Sequence, residues 1–143
     1  MNSATSVFLD WAAGGEPPIA RFLGLRLSKY ERDHSVIEFD AGPQHANPMG
    51  TLHGGILCDV SDAAMGTAWA SGLIAGETLT TIELKINFFR PFRTGRIIAE
   101  ATVLRRGKSL GYVECDIRDD EGRLLARAAS TCMTLRGEQA AGR

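Results

Sequence analysis

Hydrophobic and polar residues alternate along much of the second half of the chain. From residue 79 onward, Ile82, Leu84, Ile86 and Phe88 are separated by polar residues, and Thr81 belongs to the polar set. Because successive side chains of a strand point to opposite faces, this period of two predicts a strand with one buried face. Turn-forming residues bound further segments of strand-like composition. These segments are residues 25–31, 35–41, 96–106, 110–118 and 123–135.

A different spacing predicts one long helix over residues 53–71. Ile56, Leu57, Val60 and Ala64 recur along one helical face. The other faces are small and apolar too, so we expect the helix to be buried on most sides and open to close approach by a second backbone. An antiparallel sheet of about five or six strands with one long helix buried against it is an α+β architecture.

The length of the chain indicates one domain. Its 143 residues are close to the usual size of a single domain and can bury a core without a disulfide or a metal. We expect a helical segment over residues 1–24, with a first helical turn at 7–13 and a short second helix from Pro17 to Phe22. The main domain is expected at residues 25–136 and a flexible polar tail at 137–143.

Charge and cysteine usage exclude several classes of protein. The chain has 16 Lys and Arg against 17 Asp and Glu, a net charge of −1, which disfavours a basic nucleic-acid binder. Its three cysteines form no CxxC motif, which argues against a disulfide framework or a cysteine zinc site. The longest uncharged apolar stretch, 63–76, is shorter than a membrane span. We therefore expect a soluble cytoplasmic protein that binds no nucleic acid, membrane or metal.

The segment NPMGTLHGG, residues 47–55, places two glycines where the long helix is predicted to begin. Glycine lets a backbone approach a ligand closely, and the first N–H groups of a helix have no partner within it. Together with the helix dipole, the N–H of Gly54 suits a carbonyl oxygen that becomes an anion during a reaction. The pair Gly54 and Gly55 also fits a simple tight turn, and the sequence does not choose between these interpretations.

Asp62 is the second candidate for chemistry. It lies among apolar residues in a helix that is short of charge, and a buried carboxylate without partners is costly, so it usually has a role. Asp62 would otherwise face solvent or pair with an arginine, and Asp59 is an equally possible exposed residue. Gly54 and Asp62 are about 12 Å apart along a helix. Two antiparallel helices would bring Gly54 of one copy to Asp62 of the other, which predicts a site shared across a symmetric dimer.

Three motifs in order carry a resemblance to a known family. NPMGTLHGG is followed by Asp62, nine residues after His53, then by TTIELKINFFRP and RRGKS. This order resembles the hotdog-fold acyl-CoA thioesterases, and within them the branch similar to the phenylacetate-pathway thioesterases. The resemblance covers residues 25–135. It implies a five- to six-stranded sheet wrapped around one central helix, hydrolysis of an aromatic or medium- to long-chain acyl-CoA to free acid and coenzyme A, no cofactor, and a homodimer or a tetramer of two dimers.

The resemblance also implies roles for particular residues. Gly54 N–H would polarise the thioester carbonyl, and Asn47 would assist it or hold the attacking water. His53 would orient the loop or bond to the thioester region. Asp62 of the partner subunit would act as general base or as nucleophile, and Thr81 would position the water. No metal takes part in this chemistry, which needs an oxyanion donor and an activated water.

Coenzyme A requires cations and a backbone that a nucleotide can approach. The resemblance implies substrate contacts from these residues: Gly55, Arg90, Arg106, Gly107, Lys108 and Ser109. Arginine suits bidentate phosphate contacts, although a solvated charged face has the same composition. The aromatic residues Phe88, Phe89, Phe92 and Trp69 line an acyl pocket or belong to the core, and the sequence leaves both open.

Other functions are weaker alternatives. A hotdog hydratase or dehydratase would bind a similar thioester, and a non-catalytic acyl-CoA-binding module would share the fold. A Cys58–His53 hydrolase is disfavoured because five residues on a helix separate side chains by about 140°. His34, His45 and His53 show no metal-ligand spacing.

Overall fold

The computed structural model describes residues 9–11 and 13–142, and its elements follow the predicted order. The helix predicted at 7–13 lies partly outside these residues. The helices are α1 (Pro18–Leu23) and α2 (Gly54–Ala70), with short 3-10 helices at Pro43–His45 and Gly137–Ala140. The strands are β1 (Arg26–Glu31), β2 (His34–Ala41), β3 (Thr78–Phe88), β4 (Gly95–Arg106), β5 (Leu110–Asp119) and β6 (Leu124–Leu135). The predicted α+β class is confirmed.

The strands form a single antiparallel sheet in the order β1-β2-β4-β5-β6-β3. Strand β3 therefore lies at one edge, where it pairs with β6 on one side only. Alternation along each strand places small and aliphatic side chains on the inner face, such as Ala99, Ala101 and Val113, which are fully buried. The sheet thus presents an apolar surface to α2.

Helix α2 packs into this inner face, and polar side chains fix its position. Trp69 is fully buried, and its Nε1 donates a 3.1 Å hydrogen bond to Thr134 Oγ1. The buried hydroxyl of Ser35 donates to the Ala64 carbonyl at 2.7 Å. Trp69 therefore belongs to the core rather than to an acyl pocket. Each bond satisfies a buried polar group that would otherwise be costly.

A β-bulge in β3 changes which residues face the helix. Thr81 pairs with Cys132, whereas Glu83 pairs with Thr131, so Ile82 is an extra residue in β3. Strict alternation put Thr81 on the polar face with Glu83 and Lys85. The extra residue moves Thr81 to the helix-facing side, and that expectation is wrong for a physical reason that the pattern did not contain.

The C-terminal segment and the cysteines were also the subject of predictions from the sequence. The segment predicted as a flexible tail begins with the 3-10 helix Gly137–Ala140, held by backbone bonds such as Gln139 N–H to the Arg136 carbonyl. The thiols of Cys58, Cys115 and Cys132 are free within the described chain. No helix in residues 9–11 and 13–142 has the length and apolarity that crossing a membrane requires.

Candidate active site

The beginning of α2 carries an unused backbone donor. His53 is the N-cap residue, and its Nδ1 accepts a 2.9 Å hydrogen bond from Gly55 N–H. No described residue accepts a hydrogen bond from Gly54 N–H. This N–H lies at the positive end of the helix dipole and is available to a ligand oxygen. The N–H of Gly55 already donates to His53 Nδ1, so, unlike the N–H of Gly54, it is not free to make the predicted contact with the substrate.

Close packing against Phe88, rather than turn geometry, is what favours glycine at position 54. Neither Gly54 nor Gly55 has a positive φ, so the tight-turn interpretation does not explain the pair. A Cβ atom at position 54 would lie 2.8 Å from Cζ of Phe88, and one at position 55 would lie 3.0 Å from His53 Nδ1. Both glycines therefore permit close approach by a neighbouring side chain, and at Gly54 this leaves the N–H accessible beside an aromatic ring.

Asn47 organises the loop that leads into the helix. Its Oδ1 accepts hydrogen bonds from the N–H groups of Met49 at 3.0 Å and Thr51 at 3.1 Å. Its Nδ2 donates to Thr51 Oγ1 at 2.8 Å, which leaves one amide hydrogen for another acceptor. The loop is also fastened by His53 N–H, which donates to the His45 carbonyl at 2.9 Å. Asn47 therefore fixes the approach to Gly54 before any substrate is present.

A pocket of about 390 Å³ opens beside Gly54. Its walls combine apolar side chains with a few polar groups, as expected of a small-molecule site. The lining residues are Asn47, Thr51, Leu52, Gly54, Leu57, Phe88, Phe89, Arg90, Pro91 and Phe92. The structure thus brings together Gly54, Asn47, Arg90 and three of the four aromatic residues that the sequence offered for an acyl pocket.

Asp62 and Thr81 form a separate pair. The Thr81 hydroxyl donates a 2.9 Å hydrogen bond to Asp62 Oδ1. The Asp62 side chain is exposed in the single chain, as is that of Asp59, so Asp62 is not the buried carboxylate that the helix pattern favoured. Neither residue lines the pocket at Gly54. One chain therefore holds the donor and the carboxylate at two places, about two helical turns apart.

Arg106 is engaged inside the molecule, at the other end of α2. Its Nε donates to Asp33 Oδ1 at 2.8 Å, and its Nη2 donates to the Trp69 carbonyl at 2.8 Å. The guanidinium also lies 4.0 Å from the centroid of the Trp69 ring. A cation at a helix C-terminus is favourable, and stacking on an indole adds to it. The structure does not bring Arg106 to the pocket.

The turn after Arg106 is held by Arg136, which directly follows β6. Gly107 N–H donates to the Leu110 carbonyl at 2.8 Å, and a Cβ at position 107 would meet that oxygen at 2.5 Å. Arg136 donates to the Lys108 carbonyl at 2.7 Å and to Ser109 Oγ at 3.2 Å. The Lys108 side chain is exposed. The sequence did not predict that Arg136 holds this turn, because nothing in the residues around a single arginine after the last strand indicates its partner.

The Cys58–His53 alternative finds no support in the geometry. Nδ1 of His53 is occupied by Gly55 N–H, and it does not contact the thiol. Burial, followed by the charges of Asp59 and Asp62, raises the pKa of Cys58, which keeps this thiol protonated and weakly nucleophilic. Cys132, which pairs with Thr81 across the strands, is fully buried, and burial likewise raises the pKa of its thiol.

Comparisons with known proteins agree with these features. The model of the thioesterase superfamily matches residues 49–126. A candidate esterase of Saccharolobus solfataricus is 33% identical over 82% of this chain and 84% of its own length. The medium/long-chain acyl-CoA thioesterase YigI of Escherichia coli is 28% identical over 81% of this chain and 84% of its own. The crystal structure of a candidate thioesterase of Ralstonia eutropha, a phenylacetic acid degradation-related protein, superposes with a TM-score of 0.81 at 28% identity, covering 88% and 98% of the two chains.

Proposed function

We propose that this chain, which belongs to the thioesterase superfamily, hydrolyses an acyl-CoA to the free acid and coenzyme A. The hotdog fold and the enzyme class, a thioester hydrolase, are confirmed by the family and by the named thioesterase relatives. The substrate, the residue roles and the assembly are the proposal. The observation that carries it is the free Gly54 N–H beside an apolar pocket.

Gly54 supplies the oxyanion donor in this proposal. The thioester carbonyl accepts a hydrogen bond from Gly54 N–H, which strengthens as the oxygen becomes negative during attack by water. His53 acts indirectly, because its cap on Gly55 N–H fixes the first turn of α2 and so the direction of the Gly54 N–H. Asn47 holds the preceding loop, and its remaining amide hydrogen is available to the carbonyl oxygen or to the attacking water.

Asp62 supplies the carboxylate, and it comes from a second copy of the chain. Acting as general base or as nucleophile, the partner subunit's Asp62 would face the carbonyl held at Gly54. Thr81 fixes one carboxylate oxygen through its hydroxyl and leaves the other oxygen available. The exposure of Asp62 in the single chain supports this arrangement, because the carboxylate is free to meet another surface.

The edge strand β3 indicates how two copies would associate. Thr81 and Asp62 lie toward one end of β3, whereas Phe88 and Gly54 lie at the other. Antiparallel pairing of two β3 edges about a two-fold axis would place the Asp62 end of each copy against the Gly54 end of the other. The proposed unit is this homodimer, alone or doubled as a tetramer.

Coenzyme A would be bound by cations at two places, Arg90 at the pocket and Lys108 in the turn at the other end of α2. Arg90 lines the pocket and suits a phosphate or a pantetheine carbonyl. The turn of Gly107, Lys108 and Ser109 offers an exposed ammonium, and Arg106 contributes by holding the base of this turn. The free thiols support a cytoplasmic location. The apolar wall favours an aromatic or medium- to long-chain acyl group.

Release of free thiol from acyl-CoA thioesters tests the proposal. We expect turnover of aromatic or medium- to long-chain acyl-CoAs, and a drop in kcat of about 100-fold or more for Asp62→Asn. Asp59→Asn is the matched control, because Asp59 is an equally exposed carboxylate three residues earlier on α2. Wild-type turnover by Asp62→Asn would refute the catalytic assignment, and absence of thiol release from every acyl-CoA would refute the function itself.

A further inference from the structure

One aromatic ring covers the first residue of helix α2. The three atoms nearest to a Cβ position on Gly54, at 2.8, 3.2 and 3.4 Å, all belong to the ring of Phe88. Covalent geometry puts that Cβ position about 2.5 Å from the Gly54 nitrogen. Gly54 and Phe88 also line the same pocket, so a group in that pocket that accepts the Gly54 N–H occupies a space that this ring borders.

Phe88 is held on one side and open on the other. It is the last residue of β3 and follows Leu84 and Ile86 on the helix-facing side of the strand. Its side chain is nevertheless 54% exposed, and it lines the pocket together with Leu57 and Phe92. The backbone of Phe88 is fixed in β3, the tip of its ring packs against the first residue of α2, and the ring borders the pocket, so it forms a wall near the donor.

We propose that Phe88 is a specificity-determining residue, whose ring limits the bulk that an acyl group carries on the carbon next to the thioester carbonyl. This inference rests on the proposed function, because it takes Gly54 N–H as the donor to that carbonyl. With the carbonyl oxygen fixed at Gly54, the adjacent acyl carbon lies near the ring. A straight chain packs along the ring, whereas a methyl branch at that carbon meets it.

The test compares two acyl-CoAs of equal carbon number. The ratio of kcat/KM for octanoyl-CoA to that for 2-methylheptanoyl-CoA is measured by thiol release for the wild type, Phe88→Ala, Phe88→Leu and Phe89→Ala. Differences in intrinsic reactivity between the two thioesters cancel when the ratios of the variants are compared. Phe89 is the matched control, because it is an equally exposed phenylalanine, at 55%, lining the same pocket.

We expect the wild type to prefer the straight chain and the ratio to fall about 10-fold in Phe88→Ala. Phe88→Leu should give an intermediate ratio, and it decides the question if Phe88→Ala does not fold. Phe89→Ala should keep the wild-type ratio. An unchanged ratio in active Phe88 variants, or an equal change in Phe89→Ala, would overturn the assignment while leaving the proposed function intact. Absence of hydrolysis by the wild type on every acyl-CoA would overturn both.

Discussion

The hydroxyl of Thr81 donates a 2.9 Å hydrogen bond to the Asp62 carboxylate, and this bond joins the edge strand to the central helix. The bond depends on the bulge at Ile82, which turns Thr81 toward the helix. It fixes the orientation of a carboxylate that is otherwise exposed to solvent. In the proposed reaction, this orientation decides whether the second carboxylate oxygen faces the substrate of the partner subunit.

Thr81→Val should therefore slow the chemical step. The substitution keeps the shape of the side chain and removes the hydroxyl, so we expect kcat to fall about 10- to 100-fold with little change in KM. Thr81→Ser keeps a donor and should retain most of the activity. Steady-state thiol release measures both. Equal losses in the valine and serine variants would show that packing, rather than the hydrogen bond, is what matters at Thr81.

His53 is expected to contribute through its hydrogen bond to Gly55 N–H. His53→Ala removes the N-cap and should lower the free energy of unfolding by about 1 kcal/mol, together with kcat. Asn is a strong N-cap residue, so His53→Asn should recover most of the stability. If it recovers the stability but not kcat, the imidazole itself contacts the thioester. Urea denaturation and thiol release on the same preparations separate the two effects.

Arg106 should matter for stability more than for binding of coenzyme A. Arg106→Ala would leave Asp33 and the Trp69 carbonyl without their donor, and we expect the free energy of unfolding to fall by about 2–3 kcal/mol. Arg105→Ala, at the exposed neighbouring position, should change it by less than about 0.5 kcal/mol. Chemical denaturation tests this. A large rise in KM for acyl-CoA in a stably folded Arg106→Ala protein would instead support direct contact with coenzyme A.

Acid should destabilise the protein through Asp116. A hydrogen bond from Arg127, and a further one from Arg118, hold the pKa of this carboxyl below its ordinary value of 3.8. The stabilisation is therefore present above the ordinary pKa and is lost as the pH falls through the lower, folded-state pKa. Asp116→Asn should weaken the dependence of unfolding free energy on pH below about 4. Asp120→Asn, in the exposed turn, is the control for the loss of a single surface carboxylate.

Much of the fold was available from local patterns. Helix α2 and the five strands other than β3 begin and end within about one residue of the segments predicted from helical spacing, strand-like composition and turn residues, because these local signals are displayed in the sequence. The unpaired N–H of Gly54 was also predictable, since the first N–H groups of a helix have no partner within it.

The missed features depend on contacts between distant parts of the chain. The bulge that reorients Thr81 arises from pairing with β6, where its partner Cys132 lies 51 residues further along the chain, and no local feature of the sequence at Ile82 predicts it. The pairing of Arg106 with Asp33 spans 73 residues. In a basic segment, the sequence does not distinguish an arginine that binds a ligand from one that forms an ion pair within the protein. Exposure of Asp62 likewise required the three-dimensional arrangement of α2 and β3.

The central claim is that the donor and the carboxylate of one site come from two subunits, and a mixed dimer tests it most directly. Asp62→Asn removes the carboxylate function, and Gly54→Pro removes the donor at a helix position that accepts proline. Gly54→Ala controls for the contact with Phe88, because it adds a Cβ and keeps the N–H. Each homodimer, Asp62→Asn or Gly54→Pro, should be inactive.

The measurement is thiol release by a differently tagged Asp62→Asn and Gly54→Pro pair, purified as the mixed dimer. A shared site predicts about half of the wild-type activity per dimer, because one of its two sites then combines an intact Gly54 with an intact Asp62. A mixed dimer as inactive as its two parents would contradict the account, because each chain would then need its own Gly54 and Asp62.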